Sequence, residues 1–387
     1  MYYKIVNRKK KLVVGIADFL GYIFWAPINI LRKRTAIATE VRKILIIRMA
    51  YIGDVVMTLP ILRPLKELHP EAKITFLTSS IAKNFLVSNP YIDEIITYDA
   101  FWFYSGLSVQ SIMKYWRFLK ILRSKSYDLV IEARGDIRNI LLIAYLSKSK
   151  WLASYKVGGG GFILNKVVPF HEIKHRVDYH LDIVKSLGGQ VDTVEWDIYL
   201  DQQEKASVES LLAQKGVVPS NRLVGIHPGA RETLKCWAGE RYAKVADHLI
   251  YEHGAIVLFT GSPTEKKLVD LILEKMDNAA VNLVGETDLR LLSALIEKLD
   301  LLICNDSAPL HIASALNTPT VAIFGPSKSR ETGPYGNVHR VVEKKFPCRF
   351  CCDEHTCRYR MFNECMNQIE TEDVLAAVKE VFADNTS

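Results

Sequence analysis

The chain has 387 residues, which predicts two domains of ordinary size. Its composition, 49% hydrophobic and 24% charged, is typical of a folded protein and excludes collagen-like and disordered architectures. The net charge of +7 equals the excess within residues 1–34, where eight basic residues accompany one acidic residue, Asp18. Because the rest of the chain is close to neutral, it lacks the basic face that a nucleic-acid binder needs, and no nucleic-acid partner is expected.

The first predicted element is an apolar segment, residues 12–31, with basic clusters on both sides. It is just long enough to span a membrane, but Asp18, Pro27 and Asn29 count against a clean span. Lying in the headgroup region of a membrane fits better, with the aromatic side chains at the interface and the basic clusters on anionic lipid. A helix packed on the protein's own surface is the alternative. Residues 1–41 are therefore treated as a separate membrane-proximal segment.

From residue 42 onward, β-rich runs alternate with segments of helical periodicity, and the alternation restarts after about residue 200. This order predicts an α/β protein with two doubly wound parallel sheets, one in residues 42–200 and one in residues 201–387. Residues 111–124 are predicted to form a helix with Ile112, Tyr115, Trp116, Leu119 and Leu122 on one side. Four consecutive glycines, residues 158–161, are interpreted as a mobile loop.

In the first unit, two loops at strand ends carry polar residues. Gly53 and Asp54 directly follow the first strand, where glycine allows close approach of a ligand and a carboxylate can serve as a general base. The structural alternative for Asp54 is a helix N-cap. Arg134 and Asp136 follow a later strand of the same sheet, and loop geometry or contact with an acceptor are their two interpretations.

In the second unit, an apolar strand stops at Asn305, and Asp306 and Ser307 come directly before a helix. The positive end of a helix dipole at the edge of a parallel sheet favours a phosphate. His311 lies four residues after Ser307 and is expected on about the same face. The alternative is that Asp306 only caps the helix and that His311 is an ordinary buried histidine.

Neighbouring loops of this unit also end in glycines, hydroxyls and charged residues, as a site for a nucleotide diphosphate requires. The candidate donor-binding residues in them are Gly229, Arg231, Thr233, Lys235, Thr260, Gly261 and Glu286. Residues 262–265, SPTE, match a capping box. The chain has neither the glycine fingerprint of a nicotinamide site nor a P-loop, so both of those phosphate-binding sites are poorly supported.

The last feature is a cysteine cluster at positions 348, 351, 352, 357 and 365, accompanied by His355. Its spacing is irregular for zinc. A zinc site, a redox-labile disulfide and plain loop packing stay open as interpretations. No secretory cleavage pattern follows the first apolar segment, so a cytoplasmic location is expected.

Taken together, the glycine–aspartate pair after the first strand, HPGARETLKCW, TGSPTE and NDSAPLHIASALNTPTVAIFGP resemble glycosyltransferase family 9, the heptosyltransferases of lipopolysaccharide core synthesis. The resemblance covers about residues 42–385. It implies a GT-B fold, with two Rossmann-like domains facing across a cleft, and no essential metal or other cofactor.

The resemblance also implies a function. An inverting enzyme of this kind moves a sugar, typically heptose from ADP-heptose, to a hydroxyl of a lipid-linked core oligosaccharide. Asp54 aligns with the general base and Lys235 with the phosphate-contacting lysine, while Asp306, Ser307 and His311 lie in the donor motif. Gly53, Arg134 and Asp136 are expected on the acceptor side, and residues 1–34 are expected to hold the enzyme peripherally at the inner face of the cytoplasmic membrane. Two alternatives remain, a GT-B transferase that uses another nucleotide sugar and a non-catalytic nucleotide-sugar-binding module at the membrane.

Overall fold

A computed structural model describes residues 8–31, 40–103, 106–170, 172–218, 222–348, 352, 357 and 362–384. The chain forms two compact units, Met1–Asp197 and Ile198–Ser387. Each unit contains one six-stranded sheet in which every described pair of neighbouring strands is parallel. The predicted α/β class is therefore confirmed.

The sheet of the first unit has the strand order β3-β2-β1-β4-β5-β6. Its strands are β1 (Lys43–Arg48), β2 (Lys73–Thr78), β3 (Glu94–Thr97), β4 (Leu129–Glu132), β5 (Trp151–Ser154) and β6 (Lys166–Val167). Its helices are α1 (Arg8–Leu31), α2 (Ile52–Val56), α3 (Leu62–Leu68), α4 (Lys83–Leu86), α5 (Val109–Lys125), α6 (Ile137–Asn139) and α7 (Arg176–Ser186). A π-helical turn, Ile140–Tyr145, continues α6.

The sheet of the second unit has the order β12-β11-β10-β7-β8-β9. Its strands are β7 (Leu223–His227), β8 (Ile256–Phe259), β9 (Val281–Asn282), β10 (Leu301–Asn305), β11 (Thr320–Phe324) and β12 (His339–Glu343). Its helices are α8 (Gln202–Gln214), α9 (Gly239–His253), α10 (Lys266–Leu273), α11 (Leu289–Lys298), α12 (Ala308–Ala315), α13 (Ser329–Thr332), α14 (Glu364–Asn367) and α15 (Thr371–Asp384).

The central strands β1, β4, β7 and β10 are buried on both faces, which explains why their sequences are runs of apolar residues without alternation. Helices cover both sides of such a sheet, and the loops that carry polar side chains gather at the carboxyl ends of the strands. Each of the two candidate clusters described below lies at the carboxyl edge of the sheet in its own unit.

Helix α1 is packed on the first unit through one side. The Asp18 carboxylate is buried there and accepts a hydrogen bond from the backbone N–H of Gly160, with an N–O distance of 2.7 Å. A Cβ atom at Gly21 would lie 2.3 Å from the ring of Phe162, so only glycine permits this approach. Trp25 packs against the same ring, with centroids 5.6 Å apart. Among the described residues, no helix combines the length and apolarity that crossing a membrane demands.

The glycine run under α1 differs from its prediction. Gly159 and Gly160 adopt positive φ angles of 91° and 81°, and both are buried. A Cβ atom at Gly158 would lie 2.2 Å from the carbonyl oxygen of Gly135. The interpretation as a mobile loop is therefore wrong, because these glycines allow the loop to pass tightly between α1 and the loop after β4.

The prediction of which side of α5 faces the core is also partly wrong. Tyr115, Leu119 and Leu122 are buried as expected, but Trp116 is 54% exposed and Ile112 is 38% exposed. Phe118 takes the inward position instead and stacks on Tyr98, with ring centroids 4.1 Å apart. Both sides of this helix carry apolar residues, so periodicity alone does not determine which side faces the core.

Candidate active site

Asp54 lies in the first turn of α2, directly after the carboxyl end of β1. Tyr51, in extended conformation, is the N-cap residue of this helix, so the interpretation of Asp54 as an N-cap is wrong. The carboxylate of Asp54 instead accepts a hydrogen bond from Nη2 of Arg48 at 2.6 Å. Its side chain is 35% exposed. Gly53 beside it is buried. The loop thus presents a fixed but solvent-accessible carboxylate at the sheet edge.

Arg48, the last residue of β1, is the buried partner of this carboxylate. Its side chain is only 3% exposed. Burial lowers the pKa of Arg48, and the neighbouring Asp54 charge acts in the opposite direction. A guanidinium in this environment depends on its carboxylate partner to offset the cost of desolvation. Arg48 was missed in the sequence, although a charged residue that ends an apolar strand is a signal that could have found it.

His180 of α7 is a second buried group near this pair. Its Nδ1 donates to the carbonyl oxygen of Met57, 2.8 Å away. Burial, together with the charge of Arg48, lowers the pKa of His180 to about 3, so the ring is neutral at physiological pH. Nothing in the sequence around His180 distinguishes it from an ordinary helical residue, so the sequence offered no means of finding it.

The loop after β4 is organised by Glu132, which is fully buried. Its carboxylate accepts hydrogen bonds from the N–H of Gly135 at 2.6 Å, from Ser154 Oγ at 2.9 Å and from Asn139 Nδ2 at 3.1 Å. Burial raises the pKa of Glu132, and the charge of Asp136 adds to that effect. Glu132 was not among the predicted site residues.

Two predicted residues lie in this loop. The Asp136 carboxylate caps α6 by accepting from the N–H of Arg138 at 2.9 Å, and it also pairs with the Arg138 guanidinium at 2.6 Å. The Arg134 guanidinium lies over the ring of Phe103, with its carbon 5.2 Å from the centroid. Arg134 and Glu132 both contribute to the electrostatic environment of Arg48. Asp136 therefore has a structural role as a helix cap. The charge of Arg134, by contrast, acts on Arg48, the partner of Asp54.

In the second unit, Lys235 and Asp306 form the centre of the candidate donor cluster. Lys235 Nζ lies 2.8 Å from Asp306 Oδ2, and His311 Nε2 lies 3.9 Å from Asp306 Oδ1. Burial acts to lower the pKa of Lys235, but the charge and hydrogen bond of Asp306 and the charge of Glu232 outweigh it, so the pKa is raised. Asp306 is thus an ion-pair partner of Lys235, and its interpretation as a helix cap is wrong. Ser307 is the N-cap residue of α12, but its hydroxyl donates to the Asn305 carbonyl at 3.3 Å and makes no capping hydrogen bond.

Asn305, buried at the end of β10, ties this edge together. Its Oδ1 accepts from the backbone N–H of Trp237 at 3.2 Å and from the Tyr242 hydroxyl at 2.9 Å. Its Nδ2 donates to the Pro228 carbonyl at 2.7 Å. One amide therefore joins the ends of β7 and β10 to the start of α9. Asn305 stands at the strand end in the sequence, but no role was predicted for it.

A second group in this unit surrounds Glu265. The capping box is confirmed, since the Glu265 carboxylate accepts from the Ser262 N–H at 2.6 Å. His227 Nε2 lies 3.9 Å from Glu265 Oε1, and His227 Nδ1 lies 3.1 Å from Thr260 Oγ1. Burial lowers the pKa of His227 against the opposing charge of Glu265. A Cβ atom at Gly229 would lie 1.8 Å from Glu265 Oε1, so a larger residue here requires the Glu265 side chain to move.

The other predicted donor-binding residues fall in different surroundings. Arg231 pairs with Glu232 at 2.6 Å, and Glu232 also lies 3.8 Å from Lys235, which links Arg231 to the donor cluster. Thr233 begins the short 3-10 turn that carries Lys235. Gly261 accepts at its carbonyl from the Gly285 N–H at 2.9 Å, which joins two neighbouring loops. Glu286 pairs instead with Lys215 of α8 at 2.6 Å.

Within the described part of the chain, no group of three or more histidine, cysteine, aspartate or glutamate side chains could hold a metal ion. The cysteine cluster is covered incompletely, because Cys351 and His355 lie outside the described residues. Its three interpretations therefore stay open.

Two units that are each built on a parallel six-stranded sheet, with polar side chains at the carboxyl ends of the strands, fit the GT-B fold and its two Rossmann-like domains. The sequence model of glycosyltransferase family 9 (heptosyltransferase) matches residues 115–361, and the chain belongs to this family. The resemblance noted in the sequence is thereby confirmed.

Individual relatives agree. The lipopolysaccharide core heptosyltransferase OpsX of Haemophilus influenzae is 26% identical over 315 residues, which cover 79% of this chain and 85% of the relative. The family 9 glycosyltransferase of Veillonella parvula has a similar structure, with a TM-score of 0.76 at 22% identity, covering 90% of this chain and 100% of that one. The ADP-heptose lipopolysaccharide heptosyltransferase II of E. coli aligns with a TM-score of 0.70 at 22% identity, covering 89% and 100%.

Proposed function

We propose that this enzyme transfers heptose from ADP-heptose to a hydroxyl of a lipopolysaccharide core acceptor, with inversion at the anomeric carbon. The observation that carries the proposal is the Asp54 carboxylate, which is held by buried Arg48 and yet is open to solvent at the sheet edge. The names of the relatives supply the substrate class, since OpsX is a lipopolysaccharide core enzyme and the E. coli relative is named for ADP-heptose.

Asp54 acts as the general base in this proposal. An inverting transfer is one in-line displacement, in which the acceptor oxygen bonds to the anomeric carbon as the bond to the diphosphate breaks. The acceptor hydroxyl must lose its proton during this step, and a positioned carboxylate can receive it. The charge-assisted hydrogen bond from Arg48 fixes the orientation of that carboxylate.

Lys235 stabilises the leaving group in this proposal. Breaking the glycosidic bond leaves negative charge on the diphosphate, and a preorganised cation beside it lowers the barrier. Lys235 is held in place by its ion pair with Asp306 at 2.8 Å. Arg231, Thr233, Ser307 and His311 belong to the surroundings of this pair and are proposed as donor contacts, together with Gly229, Thr260 and Gly261 in the neighbouring loops.

The acceptor side is assigned to Gly53 and Arg134, which accompany Asp54 in the first unit. Asp136 is proposed to support this side through Arg138, because its carboxylate already pairs with that residue. A lipid-linked acceptor would keep the enzyme at the cytoplasmic face of the membrane. We propose that α1, which begins with four basic residues, contributes to that peripheral attachment.

The test is a transfer assay with purified protein, a core oligosaccharide acceptor and a panel of ADP- and UDP-sugars. Release of nucleotide diphosphate together with a heptosylated product is expected with ADP-heptose. Lys235→Ala should reduce donor use strongly, while Lys267→Ala, an exposed lysine on α10, serves as the matched control. Preference for a UDP-sugar would replace the donor assignment, and donor binding without any release would favour a non-catalytic module.

A further inference from the structure

The helical layer on one side of the first sheet consists of α1, α5 and the turn Ile140–Tyr145 between them. Tyr115 of α5 donates to the Leu142 carbonyl at 2.6 Å. Trp25 of α1 packs edge-on against Tyr145, with centroids 5.6 Å apart. All three elements contribute to the same buried core of this unit. The sides of α1 and α5 that face away from this core therefore belong to one surface.

The outward side of α1 is apolar throughout the described part of its length. Seven large apolar side chains on it are exposed to solvent: Leu12, Val13, Ile16, Phe19, Leu20, Ile23 and Phe24. They recur at helical spacing and lie opposite the side that carries buried Asp18 and Gly21. A monomeric soluble protein rarely exposes a continuous apolar stripe of this length.

The outward side of α5 continues this pattern. Val109, Met113 and Trp116 are exposed and recur at i, i+4 and i+7, so they form one stripe along the helix. Leu107, just before the helix, is exposed as well. Tyr145 is exposed in the turn that separates α5 from α1. The apolar surface therefore extends from one helix to the other.

The charge around these stripes has one sign. Helix α5 contains five basic residues and no acidic residue, and its Lys114, Arg117 and Lys120 are exposed. Helix α1 begins with four basic residues, and its one acidic residue, Asp18, is buried against Gly160. Exposed large apolar residues described in the second unit lie on separate elements, for example Tyr251 on α9 and Leu271 on α10. The combination of apolar stripes and basic side chains is thus specific to this layer.

We propose that the outward sides of α1 and α5 together form a docking surface for a bilayer that contains anionic phospholipid. Apolar and aromatic side chains enter the headgroup region, and the basic side chains contact lipid phosphates. Helix α5 is the new element here, since the attachment assigned to residues 1–34 does not include it. The inference rests on the proposed function in one respect: an enzyme with a lipid-linked acceptor works at a bilayer.

A bilayer fits this surface better than a second copy of the chain. Two copies joined through the same layer would bring the basic residues of both α5 helices together, and the cores of protein interfaces are depleted in lysine. An anionic lipid surface supplies the opposite charge to every exposed basic side chain of the layer.

Flotation of the full chain with vesicles tests the proposal. Vesicles of phosphatidylethanolamine with phosphatidylglycerol are compared with vesicles of phosphatidylcholine alone. Binding is expected to the anionic vesicles and should weaken as salt is added.

Variants of α5 test its contribution. Replacing both Met113 and Trp116 by Glu should lower the association constant by about tenfold or more. Each of Lys114→Gln, Arg117→Gln and Lys120→Gln should lower it by about fivefold. Tyr251→Glu is the matched control, because Tyr251 is 81% exposed on the second unit.

Trp116 also provides a direct probe. All six tryptophans lie within the described residues, and among them only Trp116 is largely exposed to solvent. Vesicles with brominated acyl chains should quench its fluorescence on binding, and Trp116→Phe should remove most of that quenching.

Two outcomes would overturn the proposal. Binding that is unchanged in the α5 variants but lost in Phe19→Glu would overturn the role of α5 and leave attachment through α1. A dimer that the α5 variants dissociate, without vesicle binding, would overturn the bilayer in favour of a second copy. Transfer to a lipid-free acceptor is measured in parallel and should be unchanged in the α5 variants, so failure of the enzyme proposal is seen separately.

Discussion

Removing either partner of the Arg48–Asp54 pair should have unequal effects on stability. The two side chains are 2.6 Å apart, but Arg48 is 3% exposed while Asp54 is 35% exposed. In Asp54→Ala the guanidinium stays buried without its partner, whereas in Arg48→Met the remaining carboxylate can be hydrated. Breaking a buried pair costs about 3–5 kcal/mol when a charge is left uncompensated. Because Asp54 is partly exposed, we expect about 2–3 kcal/mol for Asp54→Ala, and less than about 1 kcal/mol for Arg48→Met.

Urea unfolding of the single variants and of the double variant measures this difference. The double variant should regain most of the stability lost in Asp54→Ala, because the buried charge is then absent. The cycle of four proteins isolates the coupling between the two side chains. Equal stability of Asp54→Ala and the wild type would refute the argument, since Arg48 would then tolerate burial without its carboxylate.

Three further predictions concern single positions. His180 has a pKa of about 3 in the folded protein against 6.5 in the unfolded chain, so only the unfolded chain takes up a proton between these values. Stability should therefore fall as pH decreases below about 6.5, and urea unfolding of His180→Gln across that range should show a flatter dependence. Gly21→Leu should displace α1 from Phe162, and limited proteolysis should cut α1 faster than in the wild type. Gly229→Ala should push Glu265 aside, which is expected to raise the KM for the donor while the unfolding midpoint changes little.

The sequence predicted the central strands of both sheets well, because a strand buried on both faces must be an uninterrupted apolar run. The strands β1, β7 and β10 show this directly. It also predicted that Lys235 and Asp306 follow strands of one parallel sheet, whose carboxyl ends meet at one edge, and their side chains are 2.8 Å apart there.

Other features depend on which neighbours a segment meets, and local sequence does not contain that information. The orientation of α5 was misjudged because Trp116 and Phe118 are both suitable for a core, and only tertiary packing selects between them. The glycines of residues 158–161 suggested mobility, yet they serve the close approach of α1. His180 acquires its shifted pKa from burial beside Arg48, across a long separation in the chain.

The most direct test of heptosyl transfer with Asp54 as the base compares the wild type with Asp54→Asn in a transfer assay with ADP-heptose and a core acceptor. Asp192→Asn, at an exposed position of the same unit, is the matched control. We expect the wild type to form a product of inverted anomeric configuration, as read by NMR. Asp54→Asn should bind the donor normally and lose at least about a hundredfold in turnover. A folded wild type that transfers no sugar, or an Asp54→Asn enzyme that turns over at the normal rate, would contradict the account.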